Sequence, residues 1–245
     1  GIITITNNSV GMYAEGTAAT AGSALNSGTI TLKNTGKNMT GMYAANYGTA
    51  SNKGTIEVAS NITKVASGNQ EYNAAIRAGG TNSAAINGYI DSKTGAITAG
   101  TVKLLGDYTI GIFGDQGKVT NAKGSSIISN TESNNSIGLA GTTGATVTNN
   151  GTITLKGSSG KGENTGVYLK NSSATTSSDS AITVSGGDKN IAVYLDGSKI
   201  TSFGGSVNSS ADSYGAYGLV LENGSTVTGA GTGETVTVKR VSKKT

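Results

Sequence analysis

The sequence of 245 residues contains no cysteine, no histidine, no proline and no tryptophan. Without cysteine the chain forms no disulfide and offers no thiolate to a metal. Without histidine it has no imidazole base and lacks the commonest metal ligand. These absences predict a protein that is not an enzyme and that carries no catalytic residues, no metal site and no cofactor.

Charge is also scarce, at 13% of the residues, and the net charge is +4. Apart from a basic cluster at residues 238–245, the charges are scattered singly and form no stripe that would follow a phosphate backbone. No apolar run is long enough to cross a membrane. We therefore predict no nucleic-acid partner and no direct membrane insertion of this segment.

The composition favours glycine, of which there are 39, together with serine, threonine, asparagine and alanine. The stretch Ile137–Leu155 shows how the remaining apolar residues are placed. It contains three short pieces in which small or apolar residues alternate with polar ones, a pattern typical of half-buried strands. Because none of these pieces can bury its apolar face alone, each must lie on a neighbouring copy.

Copies of the same unit recur along the chain. Eight full or partial copies of a tetrapeptide of the form Gly-apolar-aromatic-small occur at intervals of 26 to 36 residues. They begin at Gly11, Gly41, Ala75, Gly111, Gly138, Gly166, Ala192 and Gly218. A second apolar landmark, at Ile56, Ile90, Ile127 or Ile153 for example, follows 14 or 15 residues after the apolar residue of most copies. A third apolar position lies between the two, as at Val119 and Val147. Three strands per repeat predict an all-β fold, a right-handed parallel β-helix of about eight three-strand coils. We expect residues 1–245 to form one segment of a longer rod.

Strand parity predicts which side chains face the core. We expect Val10, Met12, Ile110 and Ile137 to point inward, and Ile90 to belong to the third strand of its coil. The longer intervals place two insertions after third strands, near residues 59–72 and 91–108, where they would be neighbours on successive coils.

The opposite parity places a row of large side chains outward. Its members are Tyr13, Tyr43, Arg77, Phe113, Tyr168 and Tyr194. Aromatic rings stack on sugar faces and anchor protein partners, so the row is a candidate binding face. The alternative is that the rings stack on one another and only shield the sheet, with Arg77 in a cation–π contact.

Asparagines recur at the same point of their coils, just before the third strand, at Asn26, Asn52, Asn121 and Asn149. At equivalent points of successive coils they predict a structural amide ladder along the axis. Sugar binding is the functional alternative.

A polysaccharide-acting enzyme is the weaker hypothesis. It would need clustered carboxylates, and Asp91, Asp107 and Asp115 would have to approach one another across the second insertion.

The motif Gly-(Ile/Met/Val)-Tyr, followed by Asn-x-Gly-Thr-Ile-(Thr/Glu)-(Leu/Val), resembles the passenger domains of large type V autotransporter adhesins of the fusobacterial type. The second part stands at residues 26–32, 52–58 and 149–155. The resemblance implies a right-handed β-helix exported to the surface of a Gram-negative bacterium and anchored in the outer membrane through a C-terminal barrel that lies outside this sequence. It also implies cell–cell or host attachment through proteins or glycans of the cell surface, or virulence more broadly. Self-association is a further expectation, and a purely structural stalk that presents a distal tip is the alternative.

Overall fold

The computed structural model describes residues 1–33, 36–59, 62, 72–130, 133–158, 162–212, 215–229 and 235–240, the last group by its backbone alone. These residues form 27 strands, numbered β1 to β27 in chain order, and no helix. Since the described residues contain no helix, none of them belongs to a helix long and apolar enough to span a membrane.

The strands fall into three long parallel sheets and one short hairpin. Sheet 1 has eight strands: β2 (Val10–Glu15), β5 (Thr40–Ala45), β8 (Asn73–Gly79), β13 (Thr109–Asp115), β16 (Ile137–Thr142), β19 (Thr165–Lys170), β22 (Ile191–Asp196) and β25 (Tyr217–Glu222). Sheet 2 also has eight: β3 (Gly22–Asn26), β6 (Gly48–Asn52), β9 (Ala84–Asn87), β14 (Lys118–Asn121), β17 (Thr146–Asn149), β20 (Ser173–Thr176), β23 (Lys199–Phe203) and β26 (Thr226–Gly229). Sheet 3 has nine: β1 (Ile2–Ile5), β4 (Thr29–Leu32), β7 (Thr55–Val58), β12 (Thr101–Leu104), β15 (Ser126–Ser129), β18 (Thr152–Lys156), β21 (Ala181–Ser185), β24 (Ser206–Ala211) and β27 (Thr235–Arg240). The antiparallel hairpin joins β10 (Tyr89–Ile90) to β11 (Ile97–Thr98).

Each full coil contributes one strand to each long sheet, and within a sheet every strand except the two at its ends pairs with its equivalents one coil before and one coil after. The chain thus forms a parallel β-solenoid of about eight turns, and the prediction of eight three-strand coils is confirmed. The right-handed sense of the coil stays a prediction.

The core is a column of aliphatic side chains along the solenoid axis. In sheet 3, Ile30, Ile56, Val102, Ile127, Ile153, Ile182 and Val207 occupy equivalent positions and are almost completely buried. Alternate residues of each strand face inward, because side chains of a strand point to opposite faces. Burying each of these side chains contributes about 1.5–3 kcal/mol relative to leaving it exposed.

Sheet 1 departs from strict alternation, and the inward placement expected for Val10, Ile110 and Ile137 is wrong. The pairing of β13 with β16 matches Ile110 to Ile137 and Ile112 to Leu139, and it skips the residue between. Ile112 is fully buried, and a Cβ at Gly111 would meet the core side chain of Ile127 at 2.9 Å. Gly111 and Ile112 are therefore two successive residues that face the core. Ile110 before them and Phe113 after them both face outward. Val10 is accordingly 43% exposed, whereas Met12 packs against the core as expected.

The third coil also differs from the expectation. Ile90 does not lie in sheet 3; it pairs with Ile97 in the hairpin and is 43% exposed. The third strand of this coil is β12, which pairs with β7 and β15. The insertion therefore falls before the third strand and not after it, and the expected loop at 91–108 contains β11 and β12. Of the loop expected at 59–72, only Ala59, Ile62 and Tyr72 belong to the described residues.

Candidate binding groove

The six side chains of the predicted outward row occupy one line across sheet 1. Strand pairing aligns Tyr13, Tyr43, Arg77, Phe113, Ala140, Tyr168, Tyr194 and Val220 in that order. Tyr13 is 51% exposed, and the other five predicted members are half-buried. We call this line the aromatic row.

Neighbours in the aromatic row contact each other on both sides of Ala140, and one pair of rings, Tyr168 and Tyr194, is stacked. The ring centroids of Tyr13 and Tyr43 lie 5.6 Å apart, and those of Tyr168 and Tyr194 lie 5.4 Å apart with parallel planes. The Arg77 guanidinium lies between two rings, 5.6 Å from the centroid of Tyr43 and 5.2 Å from that of Phe113. Such cation–π contacts stabilise a charge that is partly removed from water. Ala140 is the member without a ring between Phe113 and Tyr168.

A second row runs beside the first on the same face. It consists of Val10, Thr40, Ala74, Ile110, Ile137, Thr165, Ile191 and Tyr217, and it arises from the skipped residue of sheet 1. Ala74, Ile110 and Ala140 form the buried centre of an apolar cluster outside the solenoid core. This cluster was not predicted, because strict strand parity assigns Ile110 and Ile137 to the core. The available signal was the glycine before the inward apolar residue, since its lack of a side chain permits two successive inward positions.

The two rows enclose a cavity of about 480 Å³ on the outer face of sheet 1. Phe113, Ala140 and Tyr168 form one side, Ile110 and Ile137 belong to the other, and the lining also includes Tyr72, Arg77, Asn38, Thr40, Ala74 and Thr142. Its size falls within the range usual for small-ligand sites. Apolar surface with a few polar groups at the edge is also usual for such sites.

A second cavity of about 590 Å³ adjoins the first and shares Tyr72, Ile137 and Tyr168 with it. Glu163 and Lys189 line it and form an ion pair with 3.0 Å between Oε1 and Nζ. Tyr217 also lines it and is 51% exposed. Together the two cavities make a groove along the solenoid axis, which we call the sheet 1 groove.

Four phenols on this face, those of Tyr72, Tyr108, Tyr168 and Tyr194, are held in the neutral form. Burial raises the pKa of Tyr72, Tyr108 and Tyr168 above the ordinary value. The Tyr194 hydroxyl donates a 2.6 Å hydrogen bond to Glu222 Oε2, which raises the pKa of Tyr194 to about 12. The groove thus presents neutral rings, with Arg77 as the cation of the first cavity.

The predicted asparagines lie in one hydrogen-bonded column at the corner between sheets 2 and 3. Asn26 Nδ2 donates to Asn52 Oδ1 at 2.7 Å, and Asn121 Nδ2 donates to Asn149 Oδ1 at 2.9 Å. Asn87 joins the two halves, accepting from Asn52 at 3.0 Å and donating to Asn121 at 3.0 Å. The column continues from Asn149 to Ser180 Oγ at 2.6 Å. All five asparagines are buried, so they are inaccessible to a sugar.

The three candidate carboxylates do not come together. Asp91 Oδ1 accepts hydrogen bonds of 2.8 Å from the backbone N–H groups of Lys93 and Thr94 in the hairpin turn, and these bonds lower the pKa of Asp91. Asp107 precedes the start of β13, where it accepts a 2.8 Å bond from the Asn134 backbone, and Asp115 ends the same strand. At about 3.3 Å per residue, the ends of β13 are about 20 Å apart. The approach of these carboxylates, which the weaker enzyme hypothesis requires, is therefore not found for Asp107 and Asp115.

Among the described residues, no group of three or more acidic side chains is placed to hold a metal ion.

The chain is similar over residues 1–88 to a family described as the BigA third pectate lyase-like domain. The match ends at Gly88, just before the inserted hairpin. Comparisons with curated proteins and with solved structures give no match. The parallel β-solenoid and this similarity together fit a β-helix domain of the passenger type.

Proposed function

We propose that this chain is an adhesive segment of a bacterial surface protein and that it contacts other cells through the outer face of sheet 1. The observation that carries the proposal is the sheet 1 groove, which is open and is lined mainly by aromatic and aliphatic side chains, with a few polar and charged groups. A soluble monomer seldom leaves such a surface exposed without a partner. The partners are cell-surface glycans or proteins of a host or of another bacterium, and self-association through the same face belongs to the proposal.

The finer assignment is to the passenger of a type V autotransporter of the fusobacterial kind, displayed outside a Gram-negative cell and anchored in the outer membrane. It is supported by the repeat motifs and by the similarity to the BigA domain over residues 1–88. Catalysis is not part of the proposal, because Asp107 and Asp115 lie at opposite ends of one strand.

A structural stalk is the second candidate, and the asparagine column favours it. The column joins the corners of successive coils from Asn26 to Ser180. It can therefore stabilise an extended rod that binds no ligand. The two candidates differ in whether the outer face of sheet 1 matters for contact.

The test compares the purified segment with a variant in which Tyr13, Tyr43, Phe113, Tyr168 and Tyr194 are changed to Ser. Binding to bacterial and host cells and to a glycan array is measured for both proteins. We expect the parent to bind and the variant to lose at least about tenfold in affinity, since buried aromatic anchors carry most of the energy of a contact. Circular dichroism checks that the variant keeps its strands.

A matched control changes Thr120, Thr148 and Thr175, which form an outward row on sheet 2, to Ala. It should bind like the parent. If the fivefold variant does not fold, Tyr168→Ser with Tyr194→Ser tests the same face with two changes. A parent that binds no cell and no glycan supports the stalk instead.

A further inference from the structure

The second cavity on the outer face of sheet 1 has a wall that belongs to none of the described strands. This wall is formed by the residue two positions before each member of the second row, at the corner where the chain enters sheet 1. We call these residues the corner column. Those that line the cavity, on successive coils, are Tyr72, Tyr108, Asn135, Glu163 and Lys189.

The backbone of the corner column is left-handed. The angle φ is 54° at Tyr108, 53° at Asn135, 76° at Glu163 and 54° at Lys189. Asparagine tolerates this conformation because its short side chain hydrogen-bonds locally, whereas tyrosine, glutamate and lysine are strained in it. The backbone conformation therefore does not account for Tyr108, Glu163 and Lys189, and strain that is retained in this way is usual at functional sites. Residues suited to the conformation hold the equivalent positions of other coils, at Asn8, Asn38 and Gly215.

Glu163 and Lys189 form an ion pair on this wall that is open to solvent. Glu163 Oε1 lies 3.0 Å from Lys189 Nζ, and the two side chains are 53% and 51% exposed. An ion pair as exposed as this contributes little to stability. It does place hydrogen-bond donors and acceptors side by side without net charge. A ligand that matches the pair therefore carries donors and acceptors close together and is itself uncharged.

The rest of the second cavity is mainly aliphatic and aromatic. Ile137 and Ile191 of the second row line it, and Tyr168 lines it from the aromatic row. Tyr217, which is 51% exposed, lies at its far end. Five steps between strands separate Tyr72, before the third strand of sheet 1, from Tyr217 in the eighth, which is about 24 Å. This length suits a chain of several linked units better than one small molecule.

The backbone of sheet 1 distinguishes a saccharide from a peptide. The strands β16, β19 and β22 each pair with a strand on both sides, so their backbone groups are already used in the sheet. An extended peptide carries a donor and an acceptor on every residue and finds no strand edge to pair with on this face. A sugar carries hydroxyl groups on an aliphatic ring. Its hydroxyl groups match the ion pair with Asn135 and Thr165, and its C–H groups match Ile137 and the tyrosine rings.

We propose that the second cavity binds an uncharged oligosaccharide along the solenoid axis, with the hydroxyl groups of one sugar unit bridging Glu163 and Lys189. The inference rests on the proposed adhesive function and deepens it by naming the ligand class. A hydroxyl group both donates and accepts, so that one donates to Glu163 while its neighbour accepts from Lys189. An acidic sugar is disfavoured, because its carboxylate would meet Glu163 and because Lys189 already has an anionic partner.

The experiment removes the ion pair by a change that suits the backbone. Glu163→Asn with Lys189→Asn places a residue that tolerates the left-handed conformation at both positions. Glu57→Asn with Lys103→Asn is the matched control, since that ion pair also joins neighbouring coils at 3.0 Å but lies on sheet 3. Calorimetry measures the binding of galactose, glucose and mannose oligosaccharides, with oligogalacturonates as the acidic counterpart of the galactose series. Denaturant unfolding followed by circular dichroism measures the stability of each protein.

We expect the parent and the control to bind one of the neutral series more tightly than the oligogalacturonates, with affinity rising from monosaccharide to tetrasaccharide. Glu163→Asn with Lys189→Asn should lower that affinity by at least about tenfold, because hydrogen bonds to charged groups are the strong ones. The same variant should unfold at the same or a higher denaturant concentration than the parent, since it relieves backbone strain and loses only an exposed ion pair. A purely structural ion pair would give the opposite result, with lower stability and unchanged binding.

The outcomes separate this inference from the proposed function. If Glu163→Asn with Lys189→Asn binds like the parent, the ion pair is not part of a site and the inference is overturned. If that variant does not fold, Glu163→Gln removes one charge with little change of shape and is measured in the same way. If the parent binds cells but no neutral oligosaccharide, or binds the acids as tightly, the ligand class is wrong and the adhesive face stands. If the parent binds no cell and no glycan, the proposed function itself fails.

Discussion

At the scale of single residues, stacking gives one side chain the same neighbours in coil after coil. Asn87 is fully buried, accepts a hydrogen bond from Asn52 and donates to Asn121 and to the Ser126 carbonyl, at 3.0 Å each. A buried amide in such a column holds two neighbours in place at once. Removing it therefore leaves groups of two other coils without partners.

We predict that Asn87→Ala lowers the free energy of unfolding by about 1–3 kcal/mol, the cost of leaving buried polar groups unpaired. Denaturant unfolding followed by circular dichroism measures the change. Asn208→Ala is the matched control, since Asn208 lies on the outer side of β24 and is half-buried. Equal stability of Asn87→Ala and Asn208→Ala would show that the column is dispensable.

The sequence identified four members of this column and missed Asn87. The four share a glycine two or three residues further on and an apolar strand directly after it. Asn87 has Gly88 and then the eleven residues Tyr89–Ala99 before its strand begins. The insertion therefore separates Asn87 from the strand that marks the other members of the column. Only the pairing of β9 with β14, which matches Asn87 to Asn121, identifies Asn87 as a member.

At the scale of elements, the inserted hairpin interrupts a corner without altering it. The Gly88 N–H donates to the Asn52 carbonyl at 2.7 Å, as the Lys53 N–H does to that of Asn26 at 3.0 Å. The Thr101 N–H donates to the Gly54 carbonyl at 3.0 Å. Gly88 and Gly100 thus occupy the corner positions that Lys53 and Gly54 occupy one coil earlier.

We predict that a chain lacking Tyr89–Ala99 still folds, with a free energy of unfolding within about 1 kcal/mol of the parent. The deletion joins Gly88 to Gly100 and restores the Asn-x-Gly-Thr corner, and a shorter connection costs less entropy to close. What is lost is the exposed Ile90–Ile97 pair and the contact of Lys53 with the Tyr89 ring at 5.6 Å. Circular dichroism and denaturant unfolding are the measurements.

Deletion of eleven residues from Val119 to Ser129 provides the comparison, because it removes the core side chains of Val119 and Ile127. That chain should fail to fold. If the hairpin deletion fails in the same way, the hairpin is part of the fold and not an insertion into a corner.

The third strand of this coil was assigned to Ile90 because the interval of 14 residues from Ile76 equals that of other coils. The equality is accidental. The strand Thr101–Leu104 has the apolar alternation of Thr55–Val58 and pairs with it residue by residue. Pattern within a strand was the better guide here, because loop length varies between coils and the inward positions do not.

At the scale of the whole molecule, the number of coils and strands follows from the sequence, whereas the groove does not. Every coil must bury the same inward positions, so the repeat is visible along the chain. The groove depends on which outward residues align across coils, and that alignment is set by the skipped residue in sheet 1. Only this alignment shows that Ala140 takes the place in the row between Phe113 and Tyr168.

The continuous core predicts which coils a single core substitution destabilises. Ile153 is fully buried and stacks between Ile127 and Ile182 in sheet 3. Because each coil contacts only its neighbours, a cavity at Ile153 should weaken the adjoining coils and leave remote coils unaffected.

We predict that Ile153→Ala lowers the free energy of unfolding by about 2–5 kcal/mol, the usual cost of such a truncation in a core. Hydrogen exchange measured by mass spectrometry should become faster in β15, β18 and β21 and stay unchanged in β4 and β7. Thr154→Ala, at the exposed neighbouring position, is the control and should change neither region. If Ile153→Ala does not fold, Ile153→Val makes a smaller cavity at the same position. Equal acceleration from β4 to β24 would mean that the solenoid opens as one cooperative unit, and that stacking couples coils well beyond their nearest neighbours.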